Sequence, residues 1–105
     1  MVNSINSTIE LIKKYVNVLE NHNIEVQEAV LFGSYAKGVQ KEESDIDIAI
    51  ISNSFIGDRF EDRRRIVPLR RTIDNRIEPI PLTPIDFRIG GNLIDDIKSN
   101  GICIK

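Results

Sequence analysis

Two aspartates stand two residues apart in an otherwise apolar stretch, "SDIDIAII", Ser44 to Ile51. Side chains alternate across a strand, so Asp45, Asp47, Ala49 and Ile51 share one face while Ile46, Ile48 and Ile50 share the other. An apolar strand is built for burial, and a buried unpaired carboxylate is costly unless a partner or a pKa shift compensates it. Divalent cations answer that need, because a hard ion such as Mg²⁺ takes carboxylate and phosphate oxygens as ligands. Ten residues lie between Asp45 and Ser34, which follows Gly33 at the end of the run "AVLFGS". A glycine at a strand-to-helix turn lets backbone N–H groups approach a phosphate, and the Ser34 hydroxyl adds a further contact. A carboxylate pair beside a phosphate cradle suits transfer chemistry on a nucleoside triphosphate, in which two metal ions about 3.5–4 Å apart hold the attacking and leaving oxygens together.

Those residues need a scaffold, and the pattern of the chain supplies one. Ile5, Ile9, Ile12, Val16 and Leu19 form one apolar stripe at helical spacing, with a start at Ser7, capped with Glu10, or at Ser4. Polar "ENHN" from Glu20 closes this helix. Ala29 to Phe32 reads as a first strand, "SYAK" as a short helix ended by Gly38, "VQKEES" as a polar loop, and Asp45 to Ser52 as a second strand. A helix is expected from Gly57 to Asp74, with Asp58 and Glu61 as a capping pair and Pro68 kinking or dividing it. Arg76 to Leu82 reads as extended. Pro79 and Pro81 have the same parity, so their missing N–H groups face one side, which places this strand at a sheet edge. "TPIDF" reads as a turn or short helix, "NLIDDIKSN" as a helix stopped by Gly101, and "ICIK" as a last short strand. The class is α/β (α+β), a small mixed sheet flanked by helices. Repeats, low-complexity stretches and linkers are absent from the sequence.

With 105 residues, 41% hydrophobic and 29% charged, the chain suits one domain, 1–105, with a modest core. A net charge of −2 lacks the basic excess of a non-specific duplex binder, so no direct nucleic-acid binding is expected. The arginines at 63, 64, 65, 70 and 71 read as a solvated helix face, with a partner surface as the second reading. A lone cysteine, Cys103, excludes an internal disulfide and suits a reducing compartment; it is expected to pack as a small apolar residue. His22 falls at a helix end and is expected to be exposed. Membrane-spanning runs and a secretory signal pattern are both missing, so the expected location is cytoplasmic. Tyr35 and Lys37 either contact a nucleotide or form the solvated face of the short helix.

The spacing G-S-x10-D-x-D, with "GSYAKG" and "SDIDIAI" intact, resembles the signature of the DNA polymerase β-like nucleotidyltransferases. In its small size the chain is most similar to the minimal nucleotidyltransferases (MNT), the antitoxin half of HEPN–MNT toxin–antitoxin pairs. The stretch "RRRIVPLRRTIDNRIEPIPLTPIDF" also resembles that family's helix and third strand. The resemblance implies a polymerase β-like fold and a third carboxylate on a neighbouring strand, for which Glu78 is the candidate; the superfamily more often has aspartate there. It further implies Asp45, Asp47 and Glu78 as catalytic residues and Mg²⁺ ligands, with Gly33, Ser34 and Lys37 binding the nucleotide. The implied activity is transfer of AMP from ATP to a hydroxyl, that of a tyrosine on a cognate HEPN ribonuclease toxin. Two alternatives stand beside it: an antitoxin that neutralises by masking without catalysis, and a small-molecule nucleotidyltransferase. The latter class usually carries a further substrate-holding domain.

Overall fold

The computed structural model describes residues 5–41 and 44–105. Helix α1 spans Ile5–Asn21 and buries Thr8, Ile12, Tyr15, Val16 and Leu19. Ser7 lies inside this helix rather than capping it, and the alternative start at Ser4 lies outside the described residues. Strand β1, Glu28–Phe32, leads into the four-residue helix α2, Ser34–Lys37, closed by Gly38 in the left-handed conformation. Strand β2 is Ile46–Ile51, shorter than expected at both ends, so Asp45 precedes the ladder and is exposed. Helix α3, Arg59–Ile66, starts at Asp58, whose side chain accepts the Glu61 N–H at 3.1 Å. Pro68 divides the expected long helix: α3 gives way to a 3-10 helix over Val67–Thr72. Then follow β3, Ile77–Leu82; α4, Pro84–Ile89, with a capping box between Thr83 and Asp86; α5, Asn92–Asn100; and β4, Ile102–Cys103.

The sheet order is β3-β2-β1-β4. β1 runs antiparallel to both β2 and β4, and β3 runs parallel to β2, so the sheet is mixed and β3 lies at its edge. Pairing on β3 uses the even residues: Arg76 O accepts the Ile46 N–H at 2.8 Å and Leu82 O accepts the Ser52 N–H at 3.0 Å. Pro79 and Pro81 thus point their ring nitrogens to the open side, where no ladder bond is lost.

Both faces of the sheet are covered. Ile46, Ile48 and Ile50 pack with Ala29 and Leu31 against α1, including its Ile12, Tyr15, Val16 and Leu19, in one apolar cluster. Ala49 and Ile51 pack with Val30, Phe32 and Leu82 against Ile94 and Ile97 of α5 in the other. Because each face of β2 enters a core, the strand carries apolar residues at consecutive positions, and only its first turn can hold charge. Tyr15 was not part of the apolar stripe, yet it is buried and its hydroxyl donates to Ile66 O at 2.7 Å, tying α1 to the end of α3. Burial raises the Tyr15 pKa, an effect that Arg70 and Arg63 partly offset.

Asp62 is a second buried polar anchor. It is 2% exposed, and its two oxygens accept the N–H groups of Ile56 and Gly57, each at 3.0 Å. Removing that acceptor leaves two donors stranded, so Asp62→Ala is expected to cost roughly 3 kcal/mol. Arg64→Ala, which loses only an exposed pair with Glu61, should cost less than about 0.5 kcal/mol. Urea midpoints of the two variants, at unchanged slope, check the difference.

Candidate active site

The turn between β1 and α2 and the first residues of β2 meet because β1 and β2 are antiparallel neighbours. Phe32, last in β1, is opposite Asp47. Gly33 follows at φ +72°, and a Cβ built there would overlap the Asp47 carboxylate. Two independent constraints therefore demand glycine: a left-handed backbone and the close approach of a charged side chain. Ser34 then starts α2, whose first turn has no side-chain cap.

Asp47 is half-buried and Asp45 exposed. The pKa of Asp47 is raised, first by burial, then by repulsion from Asp45 and from Glu78. Glu78 is the register partner of Asp47 in the parallel pair, so the two side chains leave the same face of the sheet. The β2–β3 register thus brings the third candidate beside Asp47. The Glu78 carboxylate, however, is engaged elsewhere: Oε1 accepts from Arg70 Nη1 at 3.0 Å, and Oε2 lies 3.7 Å from Arg63 Nη2. Among the described residues no three metal-ligating side chains converge on one point.

The arginines differ from the solvated face expected of them. Arg63 Nη1 donates to Pro79 O at 2.9 Å and Arg70 Nη1 donates to Ile77 O at 2.8 Å. These are odd-numbered carbonyls, turned away from β2. The signal was present in the proline parity: it puts the odd carbonyls on the open edge, where they need donors, and an arginine-rich helix precedes the strand. Arg65 Nη1 also donates to the backbone, at Ser54 O, whereas Arg64 and Arg71 are exposed.

Tyr35 is buried rather than facing solvent or ligand, and its hydroxyl accepts from Arg76 Nη1 at 3.3 Å. Arg76 also grips Asp74 at 2.7 Å, and that hydrogen bond is the main reason the Asp74 pKa is lowered. Arg76 therefore pairs with Asp74, not with Glu78. Lys37 is exposed, 3.8 Å from Asp96 of α5. His22 is exposed, its ring Nδ1 2.8 Å from Val18 O. Cys103 is exposed on β4 instead of packed, because β4 covers β1 only briefly and this residue points outward.

The site therefore offers one carboxylate, Asp47, pressed against a glycine turn, with Asp45 just before the strand and Glu78 in register beside Asp47. Residues 13–105 match the family model "Polymerase beta, Nucleotidyltransferase". The chain belongs to this nucleotidyltransferase family. Over 43 residues it is 46% identical to a Methanocaldococcus jannaschii protein named "Putative protein adenylyltransferase"; that match takes in 40% of this chain and 43% of the relative. A crystal structure of a "putative nucleotidyltransferase" from Sulfolobus solfataricus superposes with a TM-score of 0.67 at 19% identity, covering 94% of this chain and 80% of that one. A toxin–antitoxin crystal structure with AMP-PNP superposes with a TM-score of 0.62 at 23% identity, covering 92% of this chain and 72% of that one. A mutant of the MntA–HpeT toxin–antitoxin does so at 0.60 and 22%, covering 89% and 71%. These likenesses establish the polymerase β-like fold. Among the described residues no helix is long and apolar enough to cross a membrane.

The raised Asp47 pKa has a stability consequence. The folded state holds this proton more tightly than the unfolded chain, so ionising Asp47 costs folding energy. That cost is absent below its ordinary value of 3.8 and is fully incurred once the pH has risen through the folded pKa. Metal-free Asp47→Asn is expected to be at least as stable as the native chain at pH 7, with the difference vanishing in acid. Thermal melts from pH 3 to 8 in a chelator check this. By contrast, Gly33→Ala should lose roughly 1–3 kcal/mol from backbone strain and more from overlap with Asp47, and the overlap part should disappear when Asp47 is also cut back to alanine.

Proposed function

We propose that the chain is a single-domain, Mg²⁺-dependent protein adenylyltransferase of the cytoplasm. In this reading it moves AMP from ATP to a tyrosine hydroxyl of a cognate HEPN-type toxin and so acts as its antitoxin. The observation that carries the proposal is the Asp47 carboxylate packed against the Gly33 turn with Asp45 nearby: burial and the charges of Asp45 and Glu78 disfavour ionised Asp47, and a cationic ligand would offset that cost. Oxygen-only donors of concentrated negative charge fit Mg²⁺ rather than a softer metal. The nucleotide in one of the similar structures and the adenylyltransferase name of the Methanocaldococcus relative support the same reading.

Each residue has a task in this scheme. Gly33, carrying no side chain, leaves room for the Asp47 carboxylate at the start of α2, where the Ser34 hydroxyl would donate to a phosphate oxygen. Lys37, one helical turn on, exchanges its long contact with Asp96 for the phosphates. Asp45 and Asp47 would hold Mg²⁺, which would supply positive charge to offset that of the triphosphate. Glu78 completes the set and accepts the proton of the incoming hydroxyl. The hydroxyl oxygen bonds to the α-phosphorus, the bond from that phosphorus to the bridging oxygen breaks, and pyrophosphate leaves. A masking antitoxin without catalysis is the second reading, and one observation favours it: Glu78 is paired with two arginines instead of turned toward Asp47.

Labelled AMP should therefore pass from ATP to a co-expressed toxin, raising its intact mass by one or more AMP units. Asp45→Asn and Asp47→Asn should reduce transfer to background, and Glu78→Gln should lower it by at least about a hundredfold. Calorimetry should show ATP affinity falling sharply when Mg²⁺ is chelated. Full toxin neutralisation by the Asp45/Asp47 double variant, with unmodified toxin in the wild type, would leave masking as the function.

A further inference from the structure

The two arginines on the open edge of β3 are placed to do more than fill hydrogen bonds. Each guanidinium has one backbone anchor and one contact with Glu78: Arg70 on Ile77 O at 2.8 Å and Glu78 Oε1 at 3.0 Å, Arg63 on Pro79 O at 2.9 Å and Glu78 Oε2 at 3.7 Å. The anchors do not depend on Glu78. If its carboxylate leaves, both arginines keep a carbonyl, and no buried donor is stranded. Glu78, in contrast, has a second place to go. It is the register neighbour of Asp47 on the same sheet face, and a glutamate has three rotatable bonds between backbone and carboxylate.

We propose that Arg63 and Arg70 form a parking clamp that holds Glu78 away from the aspartate pair in the free protein and competes with a divalent cation for it. The inference rests on the reading of Glu78 as a third metal ligand. Its physical basis is a reversal of sign. Without a cation, Glu78 is repelled by Asp47 and attracted by two positive charges, so it turns outward. With a divalent ion beside Asp45 and Asp47, the inward position becomes the attractive one. The exchange is inexpensive because the pairs are partly exposed, with side-chain exposures of 24% for Arg70, 39% for Arg63 and 36% for Glu78, where ion pairs are weak. Such a clamp would keep the three carboxylates apart until an ion arrives and would set the ion concentration at which the site assembles. Arg63 and Arg70 are thus positioning residues, acting on the cation only through Glu78.

Mn²⁺ binding to the nucleotide-free chain, followed by electron paramagnetic resonance at low ionic strength, tests the clamp without reference to turnover. Arg70→Gln keeps an amide donor for Ile77 O but removes the charge, and Arg63→Gln does the same at Pro79 O. Each should tighten Mn²⁺ binding, and the pair together by roughly three- to fivefold. The gain should shrink in a Glu78→Gln background, which removes the through-Glu78 route while leaving any general charge effect in place; an undiminished gain there would overturn the clamp. Equal or weaker binding by the arginine variants, while Glu78→Gln weakens binding in the native background, would overturn the clamp and leave the ligand role of Glu78 standing. Mn²⁺ binding indifferent to Glu78→Gln would overturn the ligand role itself, and the clamp with it. Wild-type protein supplies a readout that survives any folding defect of the variants. The side-chain Nε–H resonances of Arg63 and Arg70 should shift when diamagnetic Mg²⁺ is added and stay fixed in Glu78→Gln. Resonances unmoved by Mg²⁺ in wild type would refute the proposal.

Discussion

The approach of the Asp47 carboxylate to the backbone of Gly33 is the constraint on which the rest of the site depends. It requires a residue without a Cβ, in a left-handed conformation, immediately after a strand that runs antiparallel to the one carrying the aspartate. Meeting it fixes where α2 begins and which way its first turn faces. It also places negative charge directly at a turn whose N–H groups otherwise favour anions. A carboxylate and a phosphate cannot share that space unless a cation lies between them. Under the proposed function the geometry suits a ternary arrangement of carboxylate, cation and phosphate, in a site whose electrostatics would serve binding rather than folding.

Such a site can exist because the energy that holds the fold lies elsewhere. β2 enters two apolar clusters at once, with Ile46, Ile48 and Ile50 on one face and Ala49 and Ile51 on the other. Charge is confined to the end of the strand where α2 and the loop before it leave one face open. The buried polar anchors, the Tyr15 hydroxyl on Ile66 O and Asp62 on two N–H groups, are each hydrogen-bonded. Repulsion among Asp45, Asp47 and Glu78 is therefore a local cost on a scaffold that is consistent at its other levels.

Much of this was legible in sequence because it depends on parity and on punctuation by glycine and proline. The face that Asp47 shares with Ala49 and Ile51 follows from a period of two, whereas Asp45 falls before the strand begins. The edge position of β3 follows from the spacing of Pro79 and Pro81, and the break after Ile66 from Pro68. What escaped the reading depends on tertiary partners. The helix alone does not distinguish an arginine that binds a distant carbonyl from one in water, and the proline parity of β3 has to be joined to it before Arg63 and Arg70 stop reading as a solvated face. Tyr35 follows the motif serine and invites a role with ligand, yet its ring is buried and its hydroxyl meets Arg76 from a segment 41 residues away. Ser7 satisfies a capping pattern inside a helix that has already begun by Ile5. Cys103 lies outside the core because β4 is only two residues long.

The edge strand shows how a folding problem and a functional one can have the same solution. An open strand exposes carbonyls and N–H groups that invite pairing with another chain. Here the prolines delete the N–H groups at 79 and 81, and arginines occupy the carbonyls at 77 and 79. The edge is closed without another strand. Closing it with arginine rather than with a neutral donor brings two positive charges to the only flank from which β3 carries a carboxylate toward the aspartates. Any residue at position 78 then feels both the clamp and the site. A glutamate, one methylene longer than aspartate, has the reach to answer to either. The departure from the shorter acid thus matches the geometry of this edge: an aspartate at 78 would lie closer to the backbone, with less range between the guanidinium groups outside and Asp47 within.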